Sequence, residues 1–193
     1  TGDMNINHLN AGGDVRLQAA GNIIDNESDS TAAIATTAGD LLLRAESAVE
    51  GVTVNNPLRV SLSEGSRLSA EIVGNMHLEQ VALNTLYIDQ VNVGGNAKIE
   101  APTAGILVDI ISATGTVALQ AQDSILAANQ PNELNVQGSA INLQSEIGSI
   151  GAFTNYLDVE LLSDGVISAT ALQGDIYINS SNNDLKVAEI EAG

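Results

Sequence analysis

The 193-residue chain contains no cysteine and no tryptophan, and its aromatic residues are one phenylalanine and three tyrosines. Without cysteine it can form neither a disulfide nor a thiolate metal site, which suits a bacterial exoprotein as well as a cytosolic protein. The shortage of rings is unusual, because compact domains normally use aromatic side chains to fill the core. A core of Leu, Ile, Val and Ala indicates instead a narrow interior of stacked aliphatic side chains.

Basic residues are also scarce: six Lys and Arg stand against 24 Asp and Glu, for a formal net charge of −18. Nucleic-acid binding needs a basic footprint, and anionic membrane surfaces attract basic segments as well. The composition therefore argues against both kinds of partner. The acidic residues are interpreted as a solvated surface that keeps neighbouring molecules apart.

Long apolar runs are missing too. None approaches the ~18 residues that a membrane-spanning helix requires, so no membrane insertion is predicted. The first residues show neither the charged region nor the apolar region of a secretory signal peptide. The sequence opens with "TGDMNI", already inside a repeated unit, so we interpret the chain as a fragment of a longer repetitive protein.

A short unit is repeated throughout the chain, as in "GDVRLQA" at 13–19, "GTVALQA" at 115–121 and "GDIYINS" at 174–180. Each copy opens with Gly and a small polar residue, which is typical of a turn, and continues with alternating apolar and polar residues, which predicts a β-strand. In "GTVALQA" the alternation predicts an inward and an outward set. The inward set is Val117, Leu119 and Ala121, and the outward set is Thr116, Ala118 and Gln120.

A longer repeat is superimposed on the short one. Residues 51–94 match residues 150–193 at an offset of 99 or 100, so that Leu58 and Val60 fall on Leu157 and Val159. The chain is therefore predicted to be one continuous segment, 1–193, made of two superrepeats at about 1–101 and 102–193. Repetition at a fixed period is the sequence signature of a solenoid.

The predicted fold is an all-β, single-stranded parallel β-helix. Helical solenoids are unsuitable because the apolar residues alternate instead of recurring at helical spacing. Units of about 20 residues correspond to one coil each, so about ten coils at ~4.8 Å would form a rod ~45–50 Å long. A β-sandwich also contains short alternating strands, but it gives no reason for repetition at these two periods.

Two polar stretches, "DNESDS" at 25–30 and "QPNE" at 130–133, are predicted to be loops that project from the coils. The first contains the weak calcium candidates Asp25, Glu27 and Asp29. Neither the EF-hand pattern nor the glycine-rich calcium-roll pattern continues from them, so no bound cofactor is predicted and calcium stays an alternative.

No residues are predicted to be catalytic. His8 and His77 lie on polar strand faces without a metal-binding partner, and no Ser motif resembles a nucleophile elbow. Asp158 and Glu160 are expected to be solvated charges on an outward face. Tyr87 and Tyr177 occupy different parts of the superrepeat and are expected not to line up as a sugar-binding platform.

The units "GDVRLQAAGNI" and "GSIGAFTNYLDVEL" resemble the repeat region of large secreted bacterial adhesins of the filamentous-haemagglutinin type, in which Asn-Pro-Leu-x-Val also recurs, here at 56–60. The resemblance covers almost the whole chain. It implies a right-handed parallel β-helix that forms a stalk exported across the outer membrane.

The function predicted on this basis is that of a structural stalk or display segment of a secreted or cell-surface bacterial adhesin. Attachment to a glycan or protein on a host or neighbouring cell, including in biofilms, would take place through the parent protein. Exposed end coils also predict end-to-end self-association of the fragment. The alternative is a β-helical carbohydrate-binding or carbohydrate-active module, which acids and aromatic residues together on adjacent coils would favour.

Overall fold

The structure, a computed structural model, describes residues 2–27, 30–51, 56–181 and 184–193. These residues form strands and turns without any α-helix, and the fold is the predicted all-β parallel solenoid. No helix long and apolar enough to cross a membrane occurs among them. The strands are β1 (Met4–Ile6), β2 (Leu9–Ala11), β3 (Val15–Ala19), β4 (Ile23–Asp25), β5 (Ile34–Thr36), β6 (Leu41–Ala45), β7 (Val49–Gly51), β8 (Leu58–Ser61), β9 (Arg67–Ile72), β10 (Met76–Gln80), β11 (Leu86–Val93), β12 (Ala97–Ala101), β13 (Ile106–Ala113), β14 (Thr116–Ala121), β15 (Ile125–Ala127), β16 (Val136–Gly138), β17 (Ala140–Ser145), β18 (Leu157–Leu161), β19 (Ile167–Ala171), β20 (Ile178–Ser180) and β21 (Val187–Ala192).

Two parallel sheets are built by stacking strands from successive coils. The first sheet has the order β1-β4-β7-β10-β12-β14-β17-β19-β21, with β2, β5 and β8 extending it beside the first coils. The second sheet has the order β3-β6-β9-β11-β13-β16-β18-β20, with β15 pairing β13. The nine strands along the first sheet define nine coils, which agrees with the predicted number of about ten.

Coil length varies because loops are inserted at some corners. From Asp3 to its equivalent Asn22 is 19 residues, whereas from Asn22 to Ala48 is 26. The long third coil shows how the insertion is accommodated: β10 pairs with both β7 and β8, so one strand of the fourth coil spans the two short strands of the third. Both short strands of the third coil therefore stay paired with the fourth coil despite the insertion.

Aliphatic side chains fill the interior and stack on like residues of neighbouring coils. Val117 and Leu119 of β14 are buried, and they pair with Ile141 and Leu143 of the next coil. The burial of Val117, Leu119 and Ala121, with Thr116, Ala118 and Gln120 only half-buried, confirms the predicted register of this strand. Such an interior needs no aromatic ring, which accounts for the unusual composition.

Side-chain amides and carboxylates stabilise the corners where a turn enters a strand. The backbone N–H of Asn22 donates to Oδ1 of Asp3, and the N–H of Asn96 donates to Oδ1 of Asn75, each over 2.8 Å. The aspartates of the Gly-Asp turns do not form one column. Asp3 lies at the corner before the first sheet, Asp14 and Asp40 lie before the second, and Asp175 follows Ser124 and Ser149 in a separate column.

The superrepeat relates strands that lie in opposite sheets. Strand β8 lies in the stretch 51–94 and belongs to the first sheet, whereas the matching strand β18 lies in the stretch 150–193 and belongs to the second. Likewise "GDVRLQA" forms β3 in the second sheet and "GTVALQA" forms β14 in the first. Because both sheets turn alternate aliphatic residues inward, the same short motif suits either one.

Candidate functional site

Three of the four aromatic residues in the chain form one cluster on the seventh and eighth coils. The ring of Tyr177 lies 6.2 Å from that of Phe153 and 6.0 Å from that of Tyr156, both in edge-to-face geometry. Phe153 is 72% exposed and Tyr156 is 41% exposed. We call these three residues the aromatic cluster, and an exposed cluster of this kind typically marks a binding surface.

A tight hairpin in the seventh coil positions two of the rings. Ala152 and Asn155 exchange two backbone hydrogen bonds of 3.0 Å, which places Phe153 and Thr154 at the tip of the 151–156 loop. The loop leaves the coil at Gly151, whose φ of 72° is costly for residues with a side chain. A Cβ there would also lie 2.0 Å from the carbonyl oxygen of Tyr177, so glycine is required.

The backbone of Tyr177 closes the base of this loop. Its N–H donates to the carbonyl of Ile150 over 2.7 Å, and its own carbonyl accepts from the N–H of Leu157 over 3.0 Å. The side chain of Tyr177 therefore lies beside the 151–156 loop of the seventh coil. Partial burial and the hydrogen bond from its hydroxyl to Asp175, 3.2 Å long, raise the pKa of Tyr177 above its ordinary value. The hydroxyl thus remains a neutral donor at physiological pH.

The loop of the sixth coil, residues 128–135, packs beside the 151–156 loop. Buried Asn135 donates from Nδ2 to the carbonyl of Val108 and to Oδ1 of Asn129, at 3.0 and 2.6 Å. Asn155 in turn donates from Nδ2 to the carbonyl of Asn129 over 3.0 Å, while its own Oδ1 is buried and accepts no hydrogen bond from any residue that the structure describes. These amides connect the two loops to each other and to the coils.

Polar side chains border a shallow hollow next to the rings. The hollow has a volume of about 190 Å³ and is lined by Pro131, Asn132, Tyr156, Asp158 and Asn179. The side chain of Asn179 donates to Oδ1 of Asp158 over 2.5 Å, and the N–H of Asp158 donates to Oδ1 of Asn135. Hydrogen-bonding groups beside aromatic rings are the usual composition of a small-ligand site.

One prediction about this region is wrong. Asp158 is 2% exposed instead of solvated, because its carboxylate lies against Asn179 of the next coil and accepts a hydrogen bond from it, while Glu160 is half-buried and accepts from Gln137. Tyr87 and Tyr177 share one outward column of the second sheet but lie four coils apart. Along this column Tyr87 pairs with Leu107, and Leu107 pairs with Leu126. Ile125 is bridged to Ile150 and Ile150 to Ile176, so the residues that follow them, Leu126, Gly151 and Tyr177, also lie side by side.

The calcium candidates lie in a different part of the molecule. Asp25 is fully buried at the end of β4, where its carboxylate accepts from the N–H of Glu27 and from both the N–H and Nη1 of Arg59. Asp29 lies outside the described residues. Within the described ranges no three His, Asp or Glu side chains are grouped so as to hold a metal ion. Asp25 thus has the partners of a structural carboxylate.

The two histidines also lie apart from the aromatic cluster. His8 is exposed, and its ring nitrogens contact the carbonyl of Ala32 and the amide of Asn10. His77 lies on the outward side of the first sheet, 2.7 Å from Glu100, which also contacts Lys98 at 2.9 Å. The side chains of His77 and Glu100 thus hydrogen-bond to each other across neighbouring strands.

Comparison with protein-family models, with curated proteins and with solved structures finds no match to this chain. Its function must therefore be argued from the fold and from the site itself. Sequence reasoning missed the aromatic cluster, although one signal was present: Tyr156 and Tyr177 are separated by about one coil length, as residues stacked on adjacent coils are.

Proposed function

We propose that the chain is a structural stalk or display segment of a secreted or cell-surface bacterial adhesin. One observation carries the proposal: along the first sheet, from β1 to β21, each strand is hydrogen-bonded in parallel to the strand of the next coil. Such a stack advances by ~4.8 Å per coil in one direction. A rod of this kind holds whatever is attached to it at a defined distance from a cell surface.

Charge and sequence support the same role. A net charge of −18 makes neighbouring rods repel one another, which suits a crowded surface. The repeat units resemble those of filamentous-haemagglutinin-type adhesins, in which such segments form the exported stalk. The attachment partner would be a glycan or protein of a host or neighbouring cell. The chain itself would act without a cofactor and without catalysis.

A display assay tests this role. The chain is placed between an outer-membrane anchor and an antibody epitope on bacterial cells, and the control is a flexible linker of about 15 residues, whose r.m.s. span of roughly 20 Å is about half the length of the nine-coil rod. We expect a large antibody to reach the epitope more readily above the rigid rod than above the linker. Equal access in both cases would contradict a spacer role.

We propose carbohydrate binding as a second function, because acids and aromatic residues do meet on adjacent coils. Phe153 and Tyr156 of the seventh coil meet Tyr177 of the eighth, beside Asp158 and Asp175. A stalk segment can carry such a site on its side without any change to its backbone ladder. Binding of oligosaccharides in solution, measured by calorimetry, tests this role independently of display.

A further inference from the structure

We infer that the aromatic cluster, together with its adjoining hollow, is a subsite for a neutral oligosaccharide. This inference rests on the carbohydrate-binding role proposed above and adds to it a location and a ligand class. The location follows from the concentration of exposed rings in a chain that otherwise has almost none. Interior packing does not account for them, since the buried hydrophobic residues in the described ranges are all aliphatic apart from Met76.

The rings are held in a way that suits a planar ligand face. Tyr177 contacts both Phe153 and Tyr156 by edge-to-face geometry, and Phe153 and Tyr156 keep 72% and 41% of their surfaces exposed. Phe153 lies on a two-residue hairpin tip that hydrogen bonds make rigid. The apolar face of a pyranose ring, formed by its axial C–H groups, packs on such ring faces.

The hollow supplies the hydrogen-bonding groups that a sugar requires. Asn132 and Asn179 are exposed on its border and offer both donors and acceptors to hydroxyl groups. Asp175, also exposed, and the hydroxyl of Tyr177 lie on the other side of the cluster. A volume of about 190 Å³ is on the scale of a single sugar ring.

Charge decides the ligand class. Among the described residues, the charged side chains that line the hollow or bond to a ring of the cluster are the carboxylates of Asp158 and Asp175, and the whole chain carries −18. An oligosaccharide containing uronic or sialic acids would be repelled, whereas a neutral one would not. Because no ion pair is involved, we expect binding of a neutral sugar to depend little on salt.

Area favours a sugar over a protein partner. A stable protein interface buries roughly 800 Å² on each side, while fully buried aromatic side chains contribute ~150–250 Å² each. Two of the three rings in the cluster are partly covered already. The accessible surface is therefore adequate for one or two sugar units but small for a protein.

Nuclear magnetic resonance of the 193-residue chain gives a residue-specific test. Ring-labelled phenylalanine reports on Phe153 alone, because the chain contains a single phenylalanine. Ring-labelled tyrosine gives three signals, of which Tyr156 and Tyr177 lie in the cluster and Tyr87 does not. The neutral probes are cellohexaose, mannohexaose and chitohexaose, and the anionic probe is hexagalacturonate.

We expect at least one neutral probe to shift the signals of Phe153, Tyr156 and Tyr177 while that of Tyr87 stays unchanged. Phe153→Ala and Tyr156→Ala are the test variants, and exposure of both side chains means that the fold tolerates them. Each variant should weaken binding by about tenfold or more, as loss of a stacked ring does. Tyr87→Leu, the matched control, should bind as the original chain does.

Three results would contradict the inference or a part of it. If no neutral probe shifts the cluster signals at about 10 mM, a concentration that reveals even millimolar affinity, the inference is overturned. Stronger binding of hexagalacturonate would overturn the ligand class while keeping carbohydrate binding. Binding that the two cluster variants leave unchanged would overturn the location. In none of these cases is the stalk role affected, because the display assay measures it separately.

Discussion

Nε2 of His77 lies 2.7 Å from Oε2 of Glu100 on the next coil of the first sheet. A carboxylate can only accept a hydrogen bond, so Nε2 carries the proton and donates. Together with Lys98 Nζ, 2.9 Å from the other carboxylate oxygen, this bond lowers the pKa of Glu100 from 4.5 to about 2. The pair connects two coils without occupying the interior.

The first prediction follows from this depressed pKa. The ionised Glu100 stabilises the fold above about pH 4.5, and the contribution is lost as the pH falls towards 2. We expect Glu100→Gln to reduce the free energy of unfolding by on the order of 1–2 kcal/mol at pH 7, after allowance for partial solvation. Urea titration at several pH values measures it, with the exposed Glu46→Gln as control. A deficit that persists undiminished at pH 2 would contradict the assignment.

The second prediction concerns the register of β14. Leu119 is 1% exposed among stacked aliphatic residues, whereas Gln120 lies on the outward side. Leu119→Asp would bury a carboxylate, cost several kcal/mol, on the order of 3–5, and abolish folding. Gln120→Asp should change stability by less than about 1 kcal/mol. Circular dichroism and thermal melting compare the two variants, and equal behaviour would overturn the register.

The third prediction concerns metal ions. The carboxylate of Asp25 is paired with Arg59, and its Oδ2 lies 3.4 Å from Nη1. The charge of Asp25 is therefore balanced by the guanidinium and does not require a cation at β4. We expect the melting temperature to be unchanged by EDTA. A fall of about 10 °C on chelation would show that acidic turns bind an ion that the fold depends on.

The fourth prediction concerns the final coil. All six residues of β21 are exposed, and Val187 and Ile190 present 53% and 46% of their surfaces. An open strand edge with apolar side chains promotes association, which the net charge opposes while carboxylates repel over ~30 Å at 0.01 M salt. At 1 M salt that distance shrinks to ~3 Å, so we expect oligomers to grow with ionic strength in light scattering.

Two variants locate the association. Ile190→Glu should suppress it, whereas Val73→Glu, also at an exposed residue but away from β21, should not. A chain that stays monomeric at high salt and high protein concentration would show that its ends do not associate.

The sequence alone was sufficient for the fold class and for the inward side of β14. Glycine turns followed by alternating aliphatic residues permit few architectures, and repetition at coil length selects the solenoid among them. Alternation also determines which side chains of a strand share one side, since the period of a strand is two residues. These properties are local, and each repeat unit contains them completely.

Tertiary structure decided which residues meet. Contacts in this fold join residues one coil apart, and coil length changes with each inserted loop, from 19 residues to 26 between the first corners. Loop insertion therefore determined that Tyr177 meets Phe153, that Asp158 is buried, and that matching superrepeat strands lie in opposite sheets. No single repeat unit contains that information, because it depends on the summed lengths of all the coils between two residues.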